Sequence, residues 1–473
     1  MTWRAGVVGG LALAVSVSAV AYVDHQGTAE PAARHRSSTT AATTRATLSC
    51  PETSRAASST TAFAVAPKHD GSTGGPASSL TIGALGKPSD TVASARRLGV
   101  PVVQELERHA GRPAMVVRAS GNMAPGASAA QWSTYDGKKL SGLATSWCQA
   151  TSDDWWFNGV DTSVGATSRL VVSNPTPATA VVDMQLFGPG GEVHPAGARG
   201  VAIAPGSRKV LDLTRFAPGR KALTVHVTAS RGTVTSAVQT ARLQGLTATG
   251  TEWIAPATPP ARHVLVNAGF SGRGEQRLVI TNPGDRQALV RVEVLGKRGA
   301  YTPTHFTDLQ VPPGSVRVKD LTDVTKSRSA ALRVSANVDI SAATVSEAAG
   351  HPQDFAVSSA SQPLDTPAVV PVIGQARLSL AFAASDVHGG KVTITTRSKE
   401  GKRIARESLE LKGRATTVWE PKHQSKAAYV VVSVDVGSTI RAVANYSSAG
   451  GIASLPVLSG RWTVTVPAVE PGP

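Results

Sequence analysis

Two stretches of this chain, 169–214 and 277–322, lie 108 positions apart and align without a gap at 17 identical positions of 46. The first begins RLVVSNPTPATAVVDMQLFGPGG and ends APGSRKVLDLT; the second begins RLVITNPGDRQALVRVEVLGKRG and ends PPGSVRVKDLT. Ungapped identity at that level reads as a duplicated domain. A third, fainter copy follows. GKVTITTRSKEGK at 390–402 matches the strand and turn of ALVRVEVLGKRGA, and AYVVVSVDVGSTIRAVANY at 428–446 matches KALTVHVTASRGTVTSAVQT at 221–240. This copy lacks the Asn-Pro pair of the other two.

Within each copy the apolar period is two. Val290, Val292 and Val294 alternate with Arg291 and Glu293, and Leu223, Val225 and Val227 alternate with Thr224 and His226. Val430, Val432 and Val434 repeat the pattern. Such alternation puts one face on a core and the other in water. Turn signals interrupt it at Asn174-Pro175, Gly188-Pro189-Gly190-Gly191, Pro205-Gly206, Pro218-Gly219 and Arg231-Gly232. The expected fold class is all-β, with tandem antiparallel, immunoglobulin-like sandwiches of about seven strands and roughly 100 residues each. Repeats are expected at 155–258, 262–362 and, degenerate, 368–467. The Pro-rich stretches APATPPAR (255–262) and SQPLDTP (361–367) join them as short stiff linkers.

The amino-terminal end reads differently. From Ala5 to Val23 there are 19 residues without a charge, preceded by Arg4 and ended by Asp24. As a helix they reach about 28 Å, close to a bilayer core of roughly 30 Å. Residues 1–23 are therefore expected to be a signal anchor or a signal peptide. Ala19-Val20-Ala21 would satisfy a cleavage site, and positive charge before the segment places the body outside the cytoplasm. The expected location is the cell membrane, with a single pass and the carboxy-terminal body outside, or secretion if the segment is cut. Residues 24–47, rich in Ala, Thr, Ser and Arg, read as a flexible linker.

Cys50 and Cys148 are the only cysteines. In an exported chain such a pair is expected to form a disulfide, closing residues 48–154 into a β-rich region. Within it, 90–110 reads either as a short helix from Asp90 or as more strand. Four of the eight tryptophans fall between 132 and 156: Trp132, Trp147, Trp155 and Trp156, with Asp153 and Asp154 beside the last two. Exposed, they would make a glycan-binding site, with indole faces on sugar rings and carboxylates accepting hydroxyl hydrogen bonds. The plainer reading packs these rings around the disulfide. Alternation favours burial of at least one of Trp155 and Trp156.

Other recurring residues read as turn chemistry. Asn174-Pro175 and Asn282-Pro283 suit hairpin turns, and Asp212-Leu213-Thr214 and Asp320-Leu321-Thr322 suit turn caps rather than calcium ligands. The eleven histidines are scattered, with no helical i, i+4 pair; His226 is expected to be exposed. No metal or other cofactor is expected. The sequence contains no Gly-x-Ser-x-Gly elbow, phosphate-binding loop or dinucleotide fingerprint, so no catalytic residue is singled out and the chain is not expected to be an enzyme. Lys and Arg outnumber Asp and Glu by 48 to 32, a net charge of +16. That balance favours acidic partners, and outside the cell these would be anionic envelope polymers or lipids rather than nucleic acid. The densest basic run, SKEGKRIAR around Lys399–Arg406, reads as a solvated hairpin turn.

Several of these residues, taken in order, carry a resemblance. Cys50-Pro51-Glu52, then Arg118-Ala119-Ser120-Gly121 with Ala124-Pro125-Gly126, then Ser146-Trp147-Cys148, then Trp155-Trp156-Phe157-Asn158-Gly159 leading to Leu170–Pro175, and later Pro205-Gly206-Ser207, resemble the actinobacterial envelope proteins grouped as domain of unknown function 5719. The resemblance runs from Cys50 to about residue 350. It implies one amino-terminal membrane segment, an exported β-rich body and no catalytic residues to transfer. The expected function is a non-catalytic structural, adhesive or scaffolding role in the cell envelope. The alternatives are a binding module for cell-wall glycan or anionic polymer, or an accessory subunit of an envelope enzyme or transporter. The expected partners are thus an envelope protein or wall polymer, with the membrane met through the amino-terminal helix.

Overall fold

A computed structural model describes residues 39–52, 56–68, 78–106, 114–268, 270, 274–325, 328–348, 353–435 and 437–466. The segment 1–23 and most of the linker 24–47 lie outside these. Among the described residues no helix is long and apolar enough to cross a membrane. Among the described residues, Thr39–Ala42 and Thr463–Val466 make a two-stranded sheet, and 39–41 with 463–466 form one compact unit. Residues 42–462 form the other.

That second unit holds four sandwiches, one more than the repeats foretell. Sandwich I has strands Arg45–Ser49, Ser59–Val65, Ser79–Ala84, Lys87–Ala95, Val102–Leu106, Met115–Ser120, Ser128–Asp136 and Ser141–Trp147. The first, sixth, third and fourth form one sheet in that order; the fifth, second, seventh and eighth form the other. Sandwich IV repeats this order with Ala368–Pro371, Arg377–Ala384, Gly390–Arg397, Arg403–Leu411, Ala415–Trp419, Tyr429–Val434, Ile440–Ser448 and Gly451–Pro456.

Sandwich II has Asp154–Val160, Ala166–Asn174, Ala180–Gly188, a fourth strand split into Gly191–Val193 and Val201–Ile203, then Ser207–Asp212, Leu223–Arg231, Thr235–Gln244 and Thr247–Ile254. Sandwich III has Ala261–Ala268, Gln276–Asn282, Ala288–Gly296, the split pair Gly299–Tyr301 and Leu309–Val311, Ser315–Asp320, the long strand Ala330–Glu347, and Phe355–Ser359. The two halves of that long strand serve as its sixth and seventh strands.

The disulfide-closed region is therefore a copy of the same unit, which its sequence no longer betrays. It begins at Arg45, so the flexible stretch expected up to residue 47 ends earlier. Lys87–Ala95 and Val102–Leu106 are strands, which decides the described part of 90–110, up to Leu106, against a helix. An immunoglobulin constant-type domain sets strands A, B, E and D against C, F and G. Here the first, third, fourth and sixth strands face the second, fifth, seventh and eighth, a different partition.

Each sandwich encloses the core its alternation foretells. Val290, Val292 and Val294 meet Leu278, Ile280, Leu332 and Val334 in III, all fully buried. Turn chemistry recurs with the repeat. The Asn174 amide donates to the carbonyls of Ala178 and Ile203 at 2.7 and 3.0 Å, and Asn282 does the same to Arg286 and Val311 at 2.7 and 3.0 Å. Each buried asparagine ties a hairpin turn to the fourth strand of its own sandwich. Asp212 and Asp320 accept from the amides of Thr214 and Thr322, as turn caps do. Cys50 and Cys148 are bonded and join the ends of the first and eighth strands of sandwich I.

The sandwiches close into a ring. The sheet containing the first strand covers, in each case, the sheet containing the second strand of the next sandwich. Trp156 and Phe187 of II share a cluster with Val279, Val345 and Val357 of III, Leu265 and Leu295 of III with Ala383 of IV, and Val369 and Tyr429 of IV with Phe63 and Val65 of I. Ser49 and Pro51 of I lie with Val171 and Ala237 of II around one small cavity. The chain just after a third strand meets the turn before the fifth strand of its neighbour: Gly86 at Gly206, Glu192 at Gly314, and Gly401 at Gly99. In the remaining pair, Lys412 Nζ donates to the carbonyl of Arg298 at 2.9 Å.

The four eighth strands pack together at the centre. Three of them carry glycines at positive φ in their first halves: Gly142 (110°), Gly250 (132°) and Gly451 (145°). A Cβ at any of the three would overlap the carboxylate of Asp354, which immediately precedes the eighth strand of III.

Two outcomes follow for stability. Replacing both cysteines by serine opens a loop spanning 98 residues and is expected to cost about 2–5 kcal/mol, read as a lowered melting temperature. Gly250→Ala and Gly451→Ala are expected to cost about 1–3 kcal/mol for overlap plus about 1–2 kcal/mol for the backbone. Gly219→Ala, also at positive φ but with open space around it, carries only the backbone cost. Urea midpoints of the three variants separate the two contributions.

Candidate functional site

The tryptophans expected to form one glycan platform are dispersed, and three are buried. Trp155 points into sandwich II, is 8% exposed, and donates from Nε1 to the carbonyls of Ser152 and Val234. Trp156, its neighbour on the strand, points the other way and is 5% exposed because sandwich III covers that face. Trp147 donates from Nε1 to the carbonyl of Pro456 at 2.6 Å, across the contact between I and IV. Trp132 is half-buried and packs at the same contact. Asp153 is exposed, while Asp154 is engaged by His226. Rings buried inside protein contacts cannot stack on a sugar, so the four tryptophans present no common aromatic platform.

His226 is likewise not the exposed residue its strand position suggests. Its ring stacks on Trp156 with centroids 3.8 Å apart, Nε2 lies 2.6 Å from Asp154 Oδ1 and Nδ1 lies 2.9 Å from Gln185 Oε1. Burial pushes its pKa below the usual histidine value, and Asp154 opposes that shift. Both ring nitrogens are taken, so the imidazole orients its strand and its neighbours rather than presenting a free base.

Each contact between sandwiches carries its own polar key. Between I and II, Glu52 bridges Arg169 at 2.7 Å and Arg208 at 3.0 Å. Between II and III, Asn158 donates to Thr281 at 3.1 Å and accepts from Ser341 at 2.9 Å, while Arg242 reaches Asp161 and Glu347 and lies 3.9 Å over the Phe355 ring. Between III and IV, Glu293 sits between Arg333 and Arg414, and Thr416 donates to the carbonyl of Leu295 at 2.6 Å. Between IV and I, the Tyr429 hydroxyl donates to the carbonyl of Gly99 at 2.7 Å.

The most unusual chemistry lies on the axis. Asp354 Oδ2 accepts from the amide of Leu143 in sandwich I at 3.1 Å and from that of Ile452 in IV at 2.8 Å. Glu252, on the eighth strand of II, accepts through Oε1 from the amides of Thr145 and Trp253 at 3.4 and 2.9 Å. Asp354 Oδ1 and Glu252 Oε2 are buried without a hydrogen-bond partner among the described residues. Burial pushes the Asp354 carboxyl up to about 8, against the pull of the Leu143 and Ile452 amides. Glu252 is raised well above the usual carboxylate range, first by burial and then by the charge of Asp354. The two carboxylates are structurally equivalent. Glu252 immediately precedes Trp253, which pairs with Gln239; Asp354 immediately precedes Phe355, which pairs with Glu347, and residues 239 and 347 lie one repeat apart. Because the two acids differ in type and fall where the alignment breaks down, sequence comparison did not single them out. The signal they share is an acid immediately before the aromatic residue of an eighth strand, Glu252-Trp253 and Asp354-Phe355. Among the described residues no group of three or more His, Cys, Asp or Glu side chains is placed to hold a metal ion.

No curated protein matches this chain. A crystal structure of Streptomyces avermitilis alpha-L-rhamnosidase complexed with L-rhamnose aligns at 12% identity over 90% of this chain and 55% of that one, with a TM-score of 0.12. The chain thus spans about half the length of that enzyme, and the likeness carries no argument about fold or function. The family model described as a family of unknown function, DUF5719, matches residues 103–422, from sandwich I into sandwich IV, and the chain belongs to that family.

Proposed function

We propose that this chain is a non-catalytic scaffold of the cell envelope of an actinobacterium. It works outside the cytoplasm, either tethered by its amino-terminal segment or released from it. The observation that carries this reading is the closed ring. Four sandwiches, each gripping the next, form one stiff body in which the axial carboxylates, the buried indoles and the His226 imidazole are spent on holding it together. The Cys50–Cys148 disulfide supports an oxidising compartment. A stiff body on a tether is suited to hold a second envelope protein at a fixed distance, including an enzyme or transporter that it accompanies. The net charge of +16 favours a second contact, with anionic wall polymer, carried by exposed Lys and Arg rather than by tryptophan.

Cross-linking of the tagged full chain in intact cells is expected to recover one defined envelope protein. Turnover of a wall substrate by the purified protein would remove the reading. Retention on isolated wall polymer is expected to fall steeply between low and high salt. Trp155→Ala and Trp156→Ala are expected to lower stability by about 3–5 kcal/mol while leaving the salt response of the folded fraction unchanged.

A further inference from the structure

We propose that Asp354 and Glu252 are a proton-operated lock on the ring: with protons on the pair the four eighth strands close around it, and with the pair ionised the sandwiches part at the axis. Asp354 belongs to sandwich III, accepts hydrogen bonds from I and IV, and occupies the space left by glycines of I, II and IV. No other side chain described above touches all four sandwiches. Glu252 bonds to sandwich I one step further along the same axis. Two carboxylates fill a place where like charges repel and water is excluded, and each leaves one buried oxygen without a partner. An unpartnered oxygen of this kind is satisfied when it carries a proton and is costly when it carries charge.

The charged groups around the pair do not supply a cation in place of the proton. The eighth strands of I and IV, Ser141–Trp147 and Gly451–Pro456, carry no titratable residue. Behind them stand Tyr135, opposite Gly142, and Tyr446, opposite Ala453; both hydroxyls are held neutral by burial. Arg242, opposite Gly250, spends its guanidinium on Asp161 and Glu347. Glu347, opposite Phe355, is paired with Arg242 and Arg277.

The sign follows from where the proton is held. In the parted state both acids titrate near their usual value of about 4. In the closed state Asp354 holds its proton up to about 8. The stability this proton gives the closed ring is fully present below the open-state value and is lost as pH rises through the window between the two. Across that window the opening equilibrium rises about tenfold per pH unit for each proton released.

The test is hydrogen exchange of the Leu143 and Ile452 amides in the full chain, corrected for intrinsic exchange, from pH 5 to pH 9.5. The opening constant is expected to rise about tenfold per unit for one proton and to flatten above pH 8. In Asp354→Asn, whose amide keeps an acceptor for the same two N–H groups, the slope is expected to fall to what Glu252 alone contributes. Glu252→Gln, a second variant that spares Asp354 and its glycine cage, is expected to reduce it. A wild-type opening constant that does not change with pH overturns the proposal, and so does an unchanged slope in both variants. If calcium or sodium restores protection at pH 9.5 in the wild type but not in Asp354→Asn, a cation rather than a proton closes the ring, and the proposal also falls.

Discussion

The ring depends on one side chain without room to move. Asp354 fills a space bounded by backbone from three other sandwiches, and that space exists because Gly142, Gly250 and Gly451 carry no Cβ. The constraint works in both directions. The glycines adopt positive φ, where other residues are strained, so their strands can bend in to reach the axis. The carboxylate then gives the incoming amides of Leu143 and Ile452 an acceptor. Without it, the heads of two strands would be buried with unpaired N–H groups, each costing about 1–3 kcal/mol.

Closure around that axis decides which faces are dry. A lone sandwich leaves its outer faces in water, and alternation then reads as core against solvent. In a ring each outer face that meets a neighbour becomes a second interior. Val171 and Val279 lie on outer positions of their strands yet are 1% and 2% exposed. Glu293 also lies on an outer position, and it is buried between two arginines. The same effect removes Trp156 and His226 from solvent, although their strand position alone suggests otherwise.

The legible part of this chain was therefore the part set by local period and local turns. The repeats of II and III, the strands around Val290 and Val430, the hairpin at Ser398–Gly401, the disulfide and the asparagine and aspartate turns follow from alternation and from short-range hydrogen bonding. The copy in sandwich I was hidden because its core is met with Ala and Met where the other copies use Val and Leu, as at Ala62, Ala64 and Met115. Only the pairing order of its strands reveals the kinship. The axis was hidden because it is assembled from four places separated by about a hundred residues each. Nothing in the neighbourhood of Asp354, in the run HPQDFAVSS, announces that it will meet Gly142 and Gly451.

The contacts between sandwiches share a shape but not a chemistry, and that difference fixes their order. A ring of four similar units joined head to tail could close in wrong registers, or continue from one chain into the next as a filament, because heterologous contacts close only when the rotation per step is right. Glu52 between two arginines, the Asn158–Thr281–Ser341 cluster, Glu293 with its own arginines and the Tyr429–Gly99 bond make each contact a poor substitute for the others. A buried charge placed opposite the wrong neighbour would cost several kcal/mol. Specific polar keys thus set which sandwich follows which, apolar clusters supply most of the adhesion, and the axial carboxylates report whether all four have arrived.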